Sequence, residues 1–146
     1  MLDKTKIGHE FPPFSTEVEK GRLRFFAEAI GERNPIYTDE SAAKAAGYSA
    51  IPAPPTFMFS VDLDGPDMLP ILKLLNLDIG RVLHGTQDFE YLGQIYAGDS
   101  ITQKSKIADI YDKRNGALEF VVQESTYTNQ NDELVGRAQQ TLVYRN

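Results

Sequence analysis

The fold is decided by residues 51–61, which read IPAPPTFMFSV. Three prolines make the first half of this stretch a rigid extended segment, and Pro55 suits the first position of a helix. The residues that follow are apolar on nearly every side, which is typical of a helix enclosed by the rest of the protein. We therefore predict a buried helix over residues 55–61 and expect the remaining chain to pack around it.

Strands dominate the chain after Gly80. β-branched and aromatic residues in partial alternation predict four strands, at residues 82–91, 100–111, 117–128 and 134–144. Asn115-Gly116 predicts a two-residue hairpin turn, and residues 129–132 predict a longer one. These signals indicate a mostly antiparallel sheet, with the buried helix as the element that the sheet wraps.

The first half of the chain is predicted to be helical. Thr16 and Glu19 match a capping box, and apolar residues at helical spacing follow, so we predict a helix over residues 16–30. Gly31 is a natural stop for that helix, because glycine readily adopts the left-handed conformation of a helix end. Helices that precede a run of strands indicate an α+β fold, with the helices on one face of the sheet.

Two shorter helices complete the prediction. One covers residues 40–46, is capped by Thr38 or Asp39, and stops at Gly47. The other covers residues 67–75, where Pro70 is tolerable only because it falls in the first turn. With 146 residues, the chain has the length of one domain, and we predict a single domain over residues 1–146.

Composition excludes several classes of function. The net charge is −6 and the basic residues are scattered, which argues against nucleic acid or an anionic membrane surface as partner. The chain has no cysteine, so disulfides and thiolate chemistry are excluded. No apolar run suggests a signal peptide or a membrane span, and we expect a cytoplasmic protein.

Between the first two helices, residues 29–39 read AIGERNPIYTD. With the small-residue helix that follows, this stretch resembles the motif Gly-Asp-x-Asn-Pro-x-His of the MaoC-like dehydratases and (R)-specific enoyl thioester hydratases. The segments IPAPPTF, LHGTQDFEY and AGD, at residues 51–57, 83–91 and 97–99, resemble the N-terminal half of two-part MaoC dehydratases. That half is similar to the dehydratase domain of type I fatty acid synthases and to non-catalytic subunits of mycobacterial (3R)-hydroxyacyl thioester dehydratases.

The resemblance implies a fold and a chemistry. The fold is a single hot dog domain, an antiparallel sheet wrapped around one helix. The reaction is hydration of a trans-2-enoyl thioester of CoA or acyl carrier protein, or the reverse, without metal or redox cofactor. In the family, the Asp and His of the motif hold and deprotonate a water, and a backbone N–H at the start of the buried helix polarises the thioester carbonyl.

Three positions depart from the family motif. Glu32 stands at the Asp position, which moves the carboxylate outward by one methylene group, and Tyr37 stands at the His position. A tyrosine with an ordinary pKa of about 10 donates a hydrogen bond but does not act as a base near neutrality. Pro55 aligns with the family's helix-start glycine and has no N–H for an oxyanion. The sequence therefore keeps the scaffold residues of the family motif but not its catalytic residues.

The candidate site residues follow from these matches. No catalytic residue is assigned, and Glu32 and Tyr37 are the motif-equivalent positions. Glu32 and Tyr37 also have purely structural interpretations, as a solvated carboxylate and as a packing aromatic. The same holds for His84, as a hydrogen-bonded strand residue, and for Phe57, as a core residue. The predicted substrate-binding residues are Asn34, Pro55, Thr56, Phe57, His84 and Gly85.

Three functional hypotheses remain open. In the first, the chain is a catalytically degenerate hot dog subunit that shapes an acyl thioester channel and pairs with a catalytic MaoC-like subunit or with a second copy. In the second, it is an active hydratase in which Glu32 acts with Tyr37 or His84. The third, an acyl-CoA thioesterase, ranks lower because Asp62 and Asp64 follow the buried helix rather than begin it.

Overall fold

A computed structural model describes residues 1–67 and 69–146. It contains the helices α1 (Lys20–Ala29), α2 (Glu40–Ala45), α3 (Phe57–Asp62) and α4 (Pro70–Leu74). Three short 3-10 turns lie at Lys4–Lys6, Pro35–Tyr37 and Ile79–Arg81. None of the described helices combines the length and the apolar character needed to cross a membrane.

Five strands form one antiparallel sheet in the order β1-β3-β4-β5-β2. They are β1 (Phe14–Glu17), β2 (Val82–Tyr91), β3 (Ser100–Lys113), β4 (Leu118–Thr128) and β5 (Leu134–Arg145). The four long strands lie where the sequence predicts them, with ends that differ by at most two residues. The sheet has β1 and β2 at its edges, so its longest uncovered edge is the ten-residue strand β2.

Helix α3 lies in the core against the inner face of the sheet. Phe57, Met58 and Val61 are buried, as the apolar sequence predicts. The helix and β5 approach closely at Gly136, where a Cβ would crowd the Met58 side chain and lie 3.2 Å from Glu90 O. The segment before α3 is extended and bonded to the 95–97 segment, with Ala53 N–H donating to Ile95 O at 2.8 Å. The α+β prediction with one central helix is confirmed.

The predicted helix over residues 16–30 is wrong at its start. Residues 14–17 form strand β1, which pairs with the beginning of β3, and the helix begins only at Lys20. Thr16 therefore caps no helix, and its hydroxyl donates to Asp64 Oδ2 at 3.0 Å. Glu19 occupies the cap position without a side-chain cap bond. The capping-box pattern is local, whereas the strand depends on a partner more than eighty residues away. Gly31 follows the helix in the left-handed region, with a φ of 74°, as predicted.

The remaining corrections concern helix starts and one turn. Pro55 is not the first residue of α3, which begins at Phe57 with Thr56 at the cap position. The helix predicted over residues 67–75 is shorter, at Pro70–Leu74, and its position 68 lies outside the described residues. Asn115-Gly116 is part of a four-residue loop rather than a two-residue turn, because Lys113 pairs with Leu118.

Helix α2 has the predicted cap. Asp39 Oδ1 accepts hydrogen bonds from Ser41 N at 2.7 Å and Ala42 N at 3.2 Å, which satisfies two of the first-turn N–H groups. Gly47 follows the helix in the left-handed region, with a φ of 95°. The helix is thereby capped at its start and ended at its other end.

Candidate functional site

The motif loop between α1 and α2 uses its polar side chains within the loop. The Glu32 carboxylate accepts a hydrogen bond from Asn34 N at 2.8 Å, and Asn34 Oδ1 accepts one from Ile36 N at 3.2 Å. The second bond caps the 3-10 turn Pro35–Tyr37. Glu32, which replaces the family's Asp, and Asn34, which matches the family's Asn, therefore both have hydrogen-bond partners within the loop.

Tyr37 lies beside Glu32 at the end of this loop and is partly buried. Burial raises the pKa of the Tyr37 hydroxyl, and the negative charge of Glu32 raises it further. The hydroxyl therefore keeps its proton at neutral pH and is a hydrogen-bond donor. Glu32 and Tyr37 are brought together, but the pair holds one carboxylate and no histidine.

Two N–H groups at the start of α3 are engaged within the protein. Pro55 lacks an N–H, the N–H of Thr56 donates to Tyr91 Oη at 2.9 Å, and the N–H of Phe57 donates to Pro54 O at 3.1 Å. Thr56 has a φ of 74°, in the left-handed region that disfavours a β-branched residue. Such a conformation costs on the order of 1–3 kcal/mol and persists where the surroundings enforce it. Here Tyr91 of β2 bonds to the same residue.

His84 and Gly85 lie at an irregularity of edge strand β2. The pairing with β5 shifts register between His84 and Thr86, so Gly85 is the extra residue of a bulge. A Cβ at Gly85 would lie 2.9 Å from Val143 Cγ2 and 3.0 Å from Thr141 O, so the strands approach closely only because this residue is glycine. The His84 ring stacks on Phe59 of α3, with centroids 5.5 Å apart, and hydrogen-bonds to Gln87 at 3.1 Å.

A cavity of about 410 Å³ lies between the end of α3, helix α4 and the inner face of the sheet. His84 and Phe59 lie on its wall, whereas Glu32, Tyr37, Asn34, Pro55, Thr56 and Phe57 do not line it. A volume of this size is typical of small-molecule sites. The predicted site residues thus separate into a loop group around Glu32 and Tyr37, a helix-start group, and a cavity group that contains His84.

A larger concavity of about 900 Å³ lies over the other face of the sheet. Its wall carries charged side chains that pair across strands, such as Lys106 with Glu124 at 3.3 Å and Arg137 with Glu90 at 2.8 Å. Charged pairs of this kind are solvated and offer no apolar channel for an acyl chain. The smaller cavity is therefore the better candidate for an acyl group.

Asp62 is a polar residue of the smaller cavity and lies outside the motifs that predict the other site residues. It is the last residue of α3, and its Oδ1 accepts hydrogen bonds from Tyr127 Oη at 2.7 Å and from Gln103 Nε2 at 3.1 Å. Burial raises the pKa of Asp62 to about 6, although both hydrogen bonds lower it. The pKa of Tyr127 is raised by its own burial and by the Asp62 charge. A sequence signal exists: Gln103, Gln123 and Ser125 are polar at inward-facing strand positions.

Asp64, by contrast, belongs to the packing of α1 against α3. Its carboxylate forms an ion pair with Arg22 of α1 and accepts the Thr16 hydroxyl. Arg22 also donates to Ser60 O at 3.0 Å and stacks over the Phe57 ring. These contacts assign Asp64 a structural role.

A wrapped central helix on a five-stranded antiparallel sheet is the hot dog architecture. The family model of the FAS1-like dehydratase domain region matches residues 5–138, and the chain belongs to this family. It is 39% identical over 145 residues to a UPF0336 protein of Saccharopolyspora erythraea, with 99% of this chain and 92% of that protein covered. The recognition of a MaoC-like dehydratase type of hot dog protein is confirmed.

Two solved structures have a similar fold. One chain of the C-terminally truncated HadBC complex of Mycobacterium tuberculosis, a (3R)-hydroxyacyl-ACP dehydratase, matches with a TM-score of 0.79 and 29% identity over 94% of this chain and 96% of that one. A MaoC-like dehydratase matches with a TM-score of 0.84 and 22% identity, over 96% of this chain but only 42% of that one. The second likeness shows the fold, and this chain corresponds to less than half of that protein.

Proposed function

We propose that this chain is a hot dog subunit of an (R)-3-hydroxyacyl thioester dehydratase or enoyl thioester hydratase, and that it lacks a complete catalytic set of its own. The observation that carries the proposal is that groups at the motif-equivalent positions already form hydrogen bonds within the chain. The Glu32 carboxylate accepts a hydrogen bond from the N–H of Asn34, and the N–H groups of Thr56 and Phe57 donate to Tyr91 and Pro54. Water activation and oxyanion stabilisation both need groups that are open to the substrate.

The role of the chain in such an enzyme is to shape the acyl channel. The cavity beside the end of α3 has mostly apolar walls, contributed by residues such as Phe59, Leu63 and Leu142. The substrate in this proposal is an acyl thioester of CoA or of acyl carrier protein. The chemistry then belongs to a partner subunit with the intact Gly-Asp-x-Asn-Pro-x-His motif, and no metal or redox cofactor is needed.

A partner is also favoured by the uncovered edge of the sheet. Strand β2 ends the sheet on one side, and Leu83, Tyr91 and Leu92 on or just after it are about half exposed. An open edge with apolar side chains is stabilised when another sheet covers it. The HadBC structure to which this chain is similar is described as a complex. A catalytic hot dog subunit is therefore the proposed partner, and a second copy is the alternative.

Crotonyl-CoA hydration by the chain alone and by its complex with a MaoC-like subunit that carries the intact motif tests the proposal. We expect negligible hydration by the chain alone and an ordinary enzymatic rate for the complex. Glu32→Ala in this chain should leave the rate of the complex within about twofold, whereas replacing the motif Asp of the partner should abolish it. Ordinary turnover by the chain alone, lost on Glu32→Ala, would contradict the proposal.

That last outcome would establish the second candidate, an active hydratase. The proximity of Glu32 and Tyr37 favours it, because the two groups then form a base and a proton donor on one loop. Tyr37→Phe should in that case lower kcat of the isolated chain by at least about a hundredfold. A thioesterase would instead release free thiol from acyl-CoA. That activity needs a carboxylate that activates water, and Asp62 at the end of α3 is the residue to replace.

A further inference from the structure

The cavity beside α3 has one wall that is unexpectedly polar. Buried side chains at inward-facing positions of a sheet are ordinarily apolar. Here Gln103, Ser105, Gln123 and Ser125 are all buried, and three of them line the cavity. The amide of Gln103 donates to Ser125 Oγ at 3.3 Å, so the wall is an ordered set of polar groups.

The polar wall continues across the next strand. Gln140 Nε2 of β5 donates to Gln123 Oε1 of β4 at 2.8 Å, and both residues line the cavity. Asp62 completes the set from the helix side, and its two hydrogen bonds from described residues both end on Oδ1. Its other carboxylate oxygen is thus available to a group inside the cavity.

Placing these groups in a core is costly. Burial of polar side chains gains little even when they are hydrogen-bonded, and apolar residues of similar volume often stabilise a protein as well or better. The opposite wall, formed by α4 and the segment before it, is apolar, with Leu63, Leu69 and Ile71. A channel for a plain hydrocarbon would need apolar side chains on both walls. The asymmetry indicates a ligand with one polar and one apolar face.

We propose, on the basis that the acyl-binding function above holds, that the cavity selects acyl groups bearing a hydroxyl beyond the carbons that react, and that Asp62 accepts the hydrogen bond of that hydroxyl. The position of Asp62 fits such a distal group. With a rise of about 1.5 Å per residue, the end of α3 lies about 9 Å from its start at Thr56. The start is where the family resemblance puts the thioester carbonyl, so Asp62 lies well along the acyl chain.

Binding of matched thioesters tests this inference. Octanoyl-CoA and a series of hydroxyoctanoyl-CoA isomers, with the hydroxyl at each position beyond the third carbon, are titrated into the protein together with its partner subunit by calorimetry. We expect at least one isomer to bind about tenfold or more tightly than octanoyl-CoA, because hydrogen bonds to charged groups contribute about 1.5–3 kcal/mol. Equal affinities across the whole series would overturn the inference and leave the proposed function intact.

Variants separate a positioning role for Asp62 from a purely structural one. Asp62→Asn should reduce the preference for the favoured isomer to a few-fold while leaving the affinity for octanoyl-CoA unchanged. Glu119→Gln is the matched control, since Glu119 is a buried carboxylate on the same sheet face but does not line the cavity. It should keep the preference.

Each remaining outcome has a defined meaning. Equal weakening of both ligands by Asp62→Asn would assign Asp62 a structural role and overturn the inference. If Asp62→Asn fails to fold, as judged by circular dichroism, the preference of the natural protein across the isomer series still decides the question. If no thioester of the series binds, the acyl-binding function itself is wrong, and the inference fails with it.

Discussion

At the scale of single residues, Asp62 shows how the environment rather than the identity of a side chain sets its chemistry. Asp62 and Asp64 are two residues apart in the same helix-terminal stretch. Asp64 faces Arg22 and forms an ion pair, whereas Asp62 faces Tyr127, Gln103 and the cavity. Burial raises the pKa of Asp62 to about 6. The carboxyl therefore titrates close to neutral pH.

This raised pKa predicts a specific pH dependence of stability. Because the Asp62 carboxyl has an ordinary pKa of 3.8 when the chain is unfolded and about 6 when it is folded, the unfolded state loses the proton first as pH rises. The contribution of Asp62 to the free energy of unfolding should thus fall between about pH 4 and pH 6, by about 2–3 kcal/mol in total. Below about pH 4 the effect is absent, since both states are protonated.

Urea unfolding of the natural protein and of Asp62→Asn at several pH values measures this contribution. The asparagine variant should gain stability relative to the natural protein as pH rises through the window. Lowered pKa values at Asp3, Glu40 and Asp67 act in the opposite direction in both proteins and cancel in the difference. A difference that stays constant with pH would show that the folded pKa of Asp62 is ordinary.

At the scale of elements, the helix caps show that a sequence can match a capping motif that the folded protein does not form. Thr16-x-x-Glu19 matches a capping box, yet Thr16 lies in β1 and Glu19 makes no side-chain cap bond. Asp39, at the start of the six-residue helix α2, makes two such bonds. The capping-box match fails because pairing with β3 satisfies the backbone of residues 14–17 in another way.

The two cap positions offer a matched pair of variants. Asp39→Ala should lower the free energy of unfolding by about 0.5–2 kcal/mol, since two N–H groups of the first turn of α2 lose their acceptor. Glu19→Ala should change it by less than about 0.5 kcal/mol, because an exposed side chain without such a bond is removed. Thermal or urea unfolding of both variants decides. A larger loss for Glu19→Ala than for Asp39→Ala would mean that the capping box forms.

At the scale of the whole molecule, the sheet ends in a short strand on one side and in a long strand on the other. The short strand β1 ends it beside β3, whereas the ten-residue strand β2 ends it beside β5. The open edge carries Leu83, His84 and Tyr91, and the last of these also bonds to the start of α3. A partner on this edge would therefore lie next to both the helix start and the cavity residue His84.

The edge can be blocked without altering the core. Leu83→Lys combined with Leu92→Lys adds two charges to side chains that are 48% and 46% exposed, which should leave folding intact. Lysine on an edge strand opposes pairing with another sheet, so we expect at least about a tenfold loss of affinity for the proposed partner subunit. Co-purification and size-exclusion chromatography measure the loss.

Phe25→Lys is the control for this experiment, because Phe25 is 72% exposed on α1 and does not belong to the sheet edge. Its partner binding should equal that of the natural protein. Equal binding by the edge variant would show that the partner covers another surface, and the proposed arrangement along β2 would be wrong.

Elements with strong local signals are predicted from the amino-acid sequence alone. Residues 82–145 alternate or carry β-branched and aromatic side chains, so their strands are predicted nearly to the residue. Residues 57–61 predict the buried helix, because a helix that is apolar on nearly every side has no polar face to turn toward water. The motif resemblance around Gly31, Asn34 and Pro35 indicates the family, because it depends on residue identity rather than on contacts.

Features that depend on distant partners follow from the folded structure and not from any local pattern. Strand β1 forms because β3 offers an edge to residues 14–17, and no local signal contains that contact. The engagement of the Thr56 N–H follows from where Tyr91, 35 residues further along the chain, lies in space. Asp62 joins a polar wall built from three strands and one helix. Burial and hydrogen bonding act across the fold, so the chemistry of such a residue is a property of the assembled molecule.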